Sequence, residues 1–300
     1  MVAQIGQEAE SRLDWIALTD AIAAGYHLPR AEITDSFLYR GQDTLLSRAA
    51  WIDGLGIAVK SATVFPGNTA RGEPMIGGAV SLFSDANGTL EAILDFHLVT
   101  KWKTAADSLL AARRLAPKEP GNILIVGAGT VGSSLHAAYS AGFPGARFTI
   151  WNRTAEKAKA FARAHPNTTA ATDLADAVHA ADIITSATMT TDPLIKGNWL
   201  RPGQHIDLIG AYRPDMREAD DEALKRARIF VDNRATTLGH IGELKIPLEA
   251  GTITKADIAA DYYDLDAFTR APDDITLFKN GGGAHLDLMT SRYILNATRS

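Results

Sequence analysis

The chain has 300 residues, 46% of them hydrophobic and 22% charged, which is enough for two α/β domains of ordinary size. The net charge is −5, and the sequence has no run of like charges and no long apolar stretch. We therefore expect a cytoplasmic protein that binds a small molecule rather than a nucleic acid or a membrane. The absence of cysteine excludes disulfides, thiolate catalysis and cysteine-ligated metal centres, and the histidines lack metal-ligand spacing, so we expect no metal.

The first hundred residues predict one helix followed by a sheet. Apolar residues at helical spacing predict a helix over 11–24. Runs of strand-forming residues separated by turn signals then predict five or six strands, the last two joined as a hairpin by the turn 85–88. With no helices between the strands, this order predicts an antiparallel or mixed α+β domain. A helix over 104–115 and a linker follow, so we predict a first domain over 1–116.

The second part of the chain alternates strands with helices. This alternation predicts an α/β domain of the Rossmann type over 117–284, with a doubly wound parallel sheet. The stretch 275–299 predicts a short strand, a glycine turn and a final helix. We expect that helix, over about 285–300, to pack back on the first domain, which would carry substrate binding and dimerisation.

Three glycines form a G-x-G-x-x-G motif at the start of this second domain. Gly127, Gly129 and Gly132 directly follow the apolar strand 123–126 and directly precede a helix. In a dinucleotide fingerprint the first glycine permits a tight turn, the second lets backbone amides approach the pyrophosphate, and the third lets helix and strand pack closely. The motif therefore predicts a nicotinamide dinucleotide site, with Thr130 and Val131 in the first turn of the helix.

The residues after the second strand of this domain bear on the choice of cofactor. An enzyme that uses NAD is expected to have a carboxylate there for the ribose hydroxyls, whereas this chain has Asn152, Arg153 and Thr154. A guanidinium attracts a 2′-phosphate, and amide and hydroxyl groups can donate hydrogen bonds to it. We therefore predict NADPH as the preferred cofactor and keep NADH as the other candidate. The alternative is that Arg153 is an ordinary surface residue.

The first domain supplies cations that could surround a small carboxylate. Lys60 lies in the middle of an apolar strand, where a lysine needs either a partner or a site. Lys103 is predicted at the start of a helix, where its charge opposes the dipole and a bound anion would explain it. Arg30 and Arg48 are predicted on neighbouring strands. The alternative for each of these cations is a surface position.

Five blocks, in order, resemble the ornithine cyclodeaminase/mu-crystallin family, and together they extend over most of the chain: 59–68, 90–116, 123–132, 210–224 and 275–288. The resemblance implies a homodimer whose strand lysine and helix arginine hold the substrate carboxylate, with a further arginine from the first strand. Lys60 matches the lysine, Lys103 replaces the helix arginine, and Arg30 is the candidate for the first-strand arginine. Arg48 replaces an apolar residue and could share that role. The remaining candidates from the resemblance are Asn68 near the substrate and Gly210 and Gly282 near the cofactor.

Two departures from the family pattern distinguish its branches. Leu46 and Tyr212 stand where cyclodeaminating members have acidic residues. We therefore predict a reductase of cyclic 2-carboxy ketimines, Δ1-pyrroline-2-carboxylate or Δ1-piperideine-2-carboxylate, with Lys60 or a bound water as proton donor and Tyr212 as a secondary candidate. The alternatives are an ornithine cyclodeaminase, with Asp215 compensating for the lost acids, and an NADPH-dependent ligand-binding protein. Asp287 is open to two interpretations, a first-turn helix acid or a site residue.

Overall fold

The structure is a computed structural model that describes residues 2–299 and divides into two compact units. Unit 2 is Thr104–Gly282, and unit 1 is the described chain before and after it. The division after Lys103 comes earlier than the predicted boundary at 116. The division falls inside the helix Phe96–Leu115, which ends just before position 116, so the predicted linker does not mark the point where the contacts change.

The elements follow one another in two series, mostly strands at first and then strands alternating with helices. Five short 3₁₀ turns lie between them, at Gln7–Arg12, Pro66–Arg71, Gly197–Trp199, Lys255–Asp257 and Tyr262–Ala267. In chain order the strands and α-helices are β1 (Ala3–Ile5), α1 (Trp15–Tyr26), β2 (Glu32–Arg40), β3 (Asp43–Ile52), β4 (Gly56–Val64), β5 (Ile76–Phe83), β6 (Leu90–Asp95), α2 (Phe96–Leu115), β7 (Asn122–Val126), α3 (Thr130–Gly142), β8 (Arg147–Trp151), α4 (Ala155–Ala164), β9 (Thr168–Ala170), α5 (Leu174–Ala180), β10 (Ile183–Ser186), β11 (His205–Leu208), α6 (Asp221–Arg226), β12 (Arg228–Val231), α7 (Arg234–Thr237), α8 (Gly242–Glu249), β13 (Ile258–Ala260), β14 (Thr276–Lys279) and α9 (Ala284–Arg299).

Unit 1 is built on a mixed six-stranded sheet in the order β1-β6-β5-β4-β3-β2, which confirms the predicted class. All neighbours pair antiparallel except β1 and β6, and the predicted hairpin is the pair β5 and β6. Helix α9 packs on β3, β4 and β5 and on α1, so the end of the chain completes this unit. The last residue of the predicted final helix, Ser300, lies outside the described residues.

The start of α2 differs from the prediction and changes the interpretation of Lys103. The helix begins at Phe96, where the Asp95 carboxylate accepts a 2.8 Å hydrogen bond from the backbone amide of Leu98. Lys103 therefore lies within the helix, away from its amino end, and the argument from the helix dipole was wrong. Its side chain is nevertheless buried, with 7% of its surface exposed.

Unit 2 is built on an eight-stranded parallel sheet in the order β13-β12-β14-β11-β10-β7-β8-β9, which confirms the Rossmann-type prediction. The chain runs outward from β7 to β9 and then resumes on the other side of β7 with β10. This reversal is the switch point at which open α/β sheets bind ligands, beyond the carboxyl ends of the strands. The central strands β7 and β10 are mostly apolar, and all of their residues except Asn122 are buried, as expected for a sheet covered on both faces.

Within residues 2–299, no helix has both the length and the apolar character needed to cross a bilayer.

Candidate active site

A cavity of about 350 Å³ lies at the carboxyl ends of β7, β8 and β10 in unit 2. Five of the predicted cofactor residues line it. The full lining is Gly127, Ala128, Gly129, Trp151, Asn152, Arg153, Thr154, Lys157, Ala187, Thr188, Met189, Thr190 and Leu194. The position at the switch point and the glycine turn on one wall are those of a dinucleotide site.

The three glycines of the motif differ in what their surroundings allow. Gly127 has φ of +114°, and a Cβ there would lie 2.9 Å from the carbonyl oxygen of Ala187. A Cβ at Gly132 would lie 2.2 Å from the carbonyl oxygen of Gly127, so this glycine permits the helix to pack against the strand. At Gly129, by contrast, a Cβ would meet nothing within 4 Å. This open face at the amino end of α3 fits a pyrophosphate.

The polar residues after β8 divide into one that supports the glycine turn and two that carry charge. The side-chain oxygen of Asn152 accepts a 3.1 Å hydrogen bond from the backbone amide of Ala128, so this side chain holds the turn in place. Arg153 and Lys157 are exposed and both line the cavity. Sequence reasoning missed Lys157, which lies in the first turn of α4, directly after the predicted loop residues.

The remaining cofactor candidates are not part of the cavity lining. Thr130 and Val131 lie in the first turn of α3. Gly210 is packed so closely that a Cβ would lie 2.1 Å from the carbonyl oxygen of Thr188. Gly282 has φ of +64°, and its amide donates a 2.7 Å hydrogen bond to Asp232. The structure therefore explains both of these glycines through backbone geometry.

Glu218 connects two loops at this end of the sheet, and sequence reasoning did not identify it. One carboxylate oxygen accepts hydrogen bonds from the hydroxyl of Ser186 at 2.6 Å and from the amide of Thr188 at 2.7 Å. The other accepts one from the amide of Gly210 at 2.5 Å. A buried carboxylate that accepts hydrogen bonds from groups on two loops ties them together, so Glu218 fixes the loops after β10 and β11.

In unit 1, the predicted cations of β3, β4 and α2 form a cluster around one carboxylate. Lys60 is 5% exposed, and its ammonium donates to the hydroxyl of Thr100 at 2.8 Å and to Asp287 at 2.9 Å. The same ammonium lies 4.6 Å from the ring centre of Phe96. Lys103, one turn after Thr100 on α2, is the second buried cation. We call Lys60, Lys103, Arg48 and Asp287 the cation cluster.

The charges of the cation cluster influence one another strongly. Burial lowers the pKa of Lys60, and the Asp287 carboxylate opposes that effect while the positive charge of Lys103 adds to it. Burial by itself would raise the pKa of Asp287, but the charges of Lys60, Lys103 and Arg48 outweigh it and hold the pKa below its usual range. The cluster therefore favours a charged Asp287 with cations on several sides.

Arg48 belongs to the cluster by position, but its guanidinium already has a partner. Its Nε donates to Asp35 at 3.1 Å and its Nη2 donates to the same carboxylate at 2.6 Å. Arg48 and Lys60 are direct cross-strand partners on β3 and β4. Arg48 thus contributes positive charge beside Lys60, and its bidentate geometry is used by Asp35.

Several predicted site residues lie elsewhere. Arg30 is exposed in the segment before β2, so its predicted place on a strand was wrong. The amide nitrogen of Asn68 donates a 2.8 Å hydrogen bond to the carbonyl oxygen of Pro74, which is a turn-stabilising contact. In unit 2, Tyr212 is 55% exposed in the loop after β11. Asp215 is exposed and paired with Arg213 at 2.9 Å. The roles predicted for Asn68 and Tyr212 stay predictions.

Asp287 meets both of the interpretations that the sequence left open. It lies in the first turn of α9, and it is also 1% exposed and paired with Lys60. Nothing in the local sequence pattern distinguishes a helix-start carboxylate on the surface from one that faces a buried lysine. The distinction depends on how α9 packs on β4.

The chain is similar to known proteins in both sequence and fold. The profile of the ornithine cyclodeaminase/mu-crystallin family matches residues 51–300. A Δ1-pyrroline-2-carboxylate reductase of Paracoccus denitrificans is 49% identical over 96% of this chain and 94% of its own length. The ketimine reductase mu-crystallin of Rattus norvegicus is 32% identical over 81% of this chain and 77% of its own. The solved structure of Thermococcus litoralis Δ1-pyrroline-2-carboxylate reductase in complex with NADH and L-proline has the same fold, with a TM-score of 0.89 at 22% identity over 99% of this chain and 98% of that one. The chain therefore belongs to the ornithine cyclodeaminase/mu-crystallin family.

Proposed function

We propose that this protein is an oxidoreductase that reduces a cyclic 2-carboxy ketimine, Δ1-pyrroline-2-carboxylate or its six-membered homologue, to L-proline or L-pipecolate. The observation that carries the proposal is the cation cluster, in which two buried lysines and an arginine surround a single carboxylate and leave excess positive charge for a small anion. The 49% identical relative that bears the name of such a reductase supports it.

The residues of the chain can account for both ends of the substrate. A bound nicotinamide would supply the hydride that the imine carbon accepts. The imine nitrogen must gain a proton, and we assign the ammonium of Lys60 as its source, after which water restores the proton. Lys103 and the charge of Arg48 hold the substrate carboxylate. Hydride at carbon and a proton at nitrogen would convert the C=N bond to the secondary amine, and the oxidised nicotinamide would be the second product.

We further propose that the preferred cofactor is NADPH. Arg153 and Lys157 line the cavity at the end of β8, and none of the described lining residues is acidic. Two cations favour the 2′-phosphate, which a carboxylate at this position would repel. NADH, which occupies the Thermococcus litoralis structure, is the alternative.

A homodimer is part of the proposal, and the free edge of the unit 1 sheet supports it. Strand β2 ends the sheet and exposes Phe37, Leu38 and Tyr39, with 68% of Leu38 and 72% of Tyr39 accessible. An exposed apolar edge strand invites pairing with another chain, and a second copy would cover it. A Leu38→Asp, Tyr39→Asp variant should shift from dimer to monomer in light scattering.

The cysteine-free sequence is compatible with the reducing cytoplasm that we propose as the location of this protein.

The test of the reaction follows NADPH absorbance with each cyclic imine, beside an assay of ammonia release from L-ornithine with NAD. NADPH oxidation without ammonia release would support the reductase. Ammonia release without oxidation would instead support an ornithine cyclodeaminase, in which other residues replace the acids absent at Leu46 and Tyr212. If the imine bound without any oxidation of NADPH, the protein would be a binding protein.

A further inference from the structure

The carboxylate of Asp287 is the least expected group in the cation cluster, because a site for an anionic substrate would not ordinarily contain an acid. Its side chain is 1% exposed. One oxygen accepts the hydrogen bond from Lys60 at 2.9 Å, and the other is buried without a hydrogen-bond partner. A buried carboxylate oxygen with no donor is costly, so its retention calls for a physical reason.

The net charge of the cluster offers that reason. Lys60, Lys103 and Arg48 contribute three positive charges, while Asp287 and Asp35, which pairs with Arg48, contribute two negative charges. The balance is a single positive charge, which one substrate carboxylate neutralises. Without Asp287, Lys60 would face two other cations in a buried environment, and its own charged form would be strongly disfavoured.

Strands β3 and β5 and helices α2 and α9 flank Lys60 on β4, and all of them except β5 bring charged groups to it. Strand β3 presents Arg48 with Asp35, and the β5 residue opposite Lys60 is the apolar Val80. Helix α2 presents Lys103, Thr100 and the ring of Phe96. Helix α9 presents Asp287. Its other titratable residues are His285, which contacts Tyr26 at 2.7 Å, Arg292, which pairs with Glu91 at 2.6 Å, and Tyr293 and Arg299 farther along.

We propose that Asp287 is a positioning residue, which holds the ammonium of Lys60 in place and in its charged form so that Lys60 can serve a monocarboxylate substrate. This inference rests on the proposed function. It gives helix α9 a part in the reaction through Asp287, separate from any part of the glycine turn that precedes the helix. Lys60 remains the residue that touches substrate, and Asp287 acts through it.

The test compares the pH dependence of kcat/KM for imine reduction in the wild type and in Asp287→Asn. The active form requires charged Lys60, so activity is lost as pH rises through the pKa of Lys60. Removing the Asp287 charge lowers that pKa, and the alkaline limb should move to lower pH by about 1 to 3 units. Asp287→Glu, which keeps the charge, and Asp53→Asn, an exposed turn residue of the same unit, should keep the limb at the wild-type position.

A binding measurement separates this inference from the proposed reaction. Pyrrole-2-carboxylate, a planar monocarboxylate, is titrated by calorimetry across the same pH range. In Asp287→Asn it should bind at least as tightly as in the wild type below the shifted limb, because the cluster is then more positive, and weaken above it. Weaker binding at every pH, or a limb at the wild-type position, would overturn the inference. A wild type that binds this ligand but does not reduce the imine would contradict only the proposed function.

A second variant covers the case in which Asp287→Asn does not fold. Lys103→Met removes a cation that disfavours charged Lys60. The alkaline limb should then move to higher pH, opposite to the shift in Asp287→Asn, even though KM rises from the lost cation. A limb that stays in place or moves to lower pH would contradict the electrostatic coupling on which the inference depends.

Discussion

Arg153 and Lys157 bring two positive charges to the cavity of unit 2, and they differ in how closely their backbones are tied to it. Arg153 lies in the loop directly after β8, next to Asn152, whose side chain binds the glycine turn. Lys157 lies in the first turn of α4. Because Arg153 is adjacent to Asn152, which binds the glycine turn, Arg153 is the better position at which to reverse the charge.

For Arg153→Asp we expect the ratio of kcat/KM for NADPH over that for NADH to fall about tenfold or more, equivalent to about 1.4 kcal/mol. The introduced carboxylate repels a 2′-phosphate and can accept hydrogen bonds from the ribose hydroxyls. Arg163→Asp, at the exposed far end of α4, is the control and should leave the ratio unchanged. An unaltered ratio in Arg153→Asp would mean that the 2′-position is recognised elsewhere.

The cation cluster also predicts an unequal effect of its two paired residues on stability. Lys60→Met leaves Asp287 beside Lys103 and Arg48, whereas Asp287→Asn leaves three cations with no acid among them except Asp35. Breaking a buried pair costs about 3 to 5 kcal/mol when the remaining charge is uncompensated. We therefore expect Asp287→Asn to lose more unfolding free energy than Lys60→Met in urea denaturation without ligands. The reverse order would show that Lys103 and Arg48 do not compensate Asp287.

At the scale of elements, substitutions at two nearby glycines between β7 and the first turn of α3 should have different effects, one on stability and the other on cofactor binding. Gly132→Ala places a Cβ against backbone, which should lower the free energy of unfolding by about 1 to 3 kcal/mol. Gly129→Ala has open space and an extended backbone, with φ of −99°, so unfolding should change little. We expect Gly129→Ala instead to weaken NADPH binding in a fluorescence titration. Normal NADPH affinity in Gly129→Ala would exclude close approach of the pyrophosphate there.

The elements that the sequence predicted well are those whose signal is local. The starts of strand β7 and helix α3 were placed within a residue because an apolar run, a glycine turn and helix-forming residues follow directly on one another. The start of α2 was misplaced because Phe96, Val99 and Thr100 are typical of strands, and only the Asp95 cap marks the turn into the helix. The short strands β9 and β13 have three residues each, too few for periodicity to be detected.

At the scale of the whole chain, the candidate site shows why sequence reasoning stopped where it did. Lys60 could be identified because a lysine in an apolar strand is conspicuous. Its partner Asp287 is 227 positions away, and the pair forms only because α9 returns to pack on β4. Glu218 was missed for the same reason, since its donors come from the ends of two other strands. Composition and motifs thus predicted a nicotinamide cofactor and the charged side chains, while the partners of those side chains depend on tertiary packing.

Two neighbouring buried acidic residues in unit 2, Glu218 and Glu243, should make the free energy of unfolding depend on pH. Glu243 on α8 accepts hydrogen bonds from the amide of Glu218 at 2.6 Å and from that of Ala219 at 3.0 Å. Burial, with the charge of Glu218 as the second cause, raises the pKa of Glu243 to about 7. The native protein therefore keeps a proton on Glu243 at pH values where the unfolded chain has lost it.

This difference has a definite sign for stability. Because the native state binds more protons than the unfolded state between the ordinary glutamate pKa and about 7, the Glu243 contribution is fully present at low pH and is lost as pH rises through that range. Glu243→Gln cannot titrate. We expect the unfolding free energy of the wild type minus that of Glu243→Gln to fall by about 1.4 kcal/mol or more between about pH 5 and pH 8 in urea denaturation.

The comparison between variants is needed because Glu243 is not the only buried acid in unit 2. Burial also raises the pKa of Asp207 to about 6, which gives stability the same dependence on pH, but Asp207 is present in both proteins and its contribution cancels. Glu249→Gln, at the exposed end of the same helix, is the matched control and should show a difference from the wild type that varies little with pH. If the Glu243→Gln difference were equally constant, Glu243 would have to be ionised in the native protein throughout, with its two amide donors outweighing burial and the charge of Glu218.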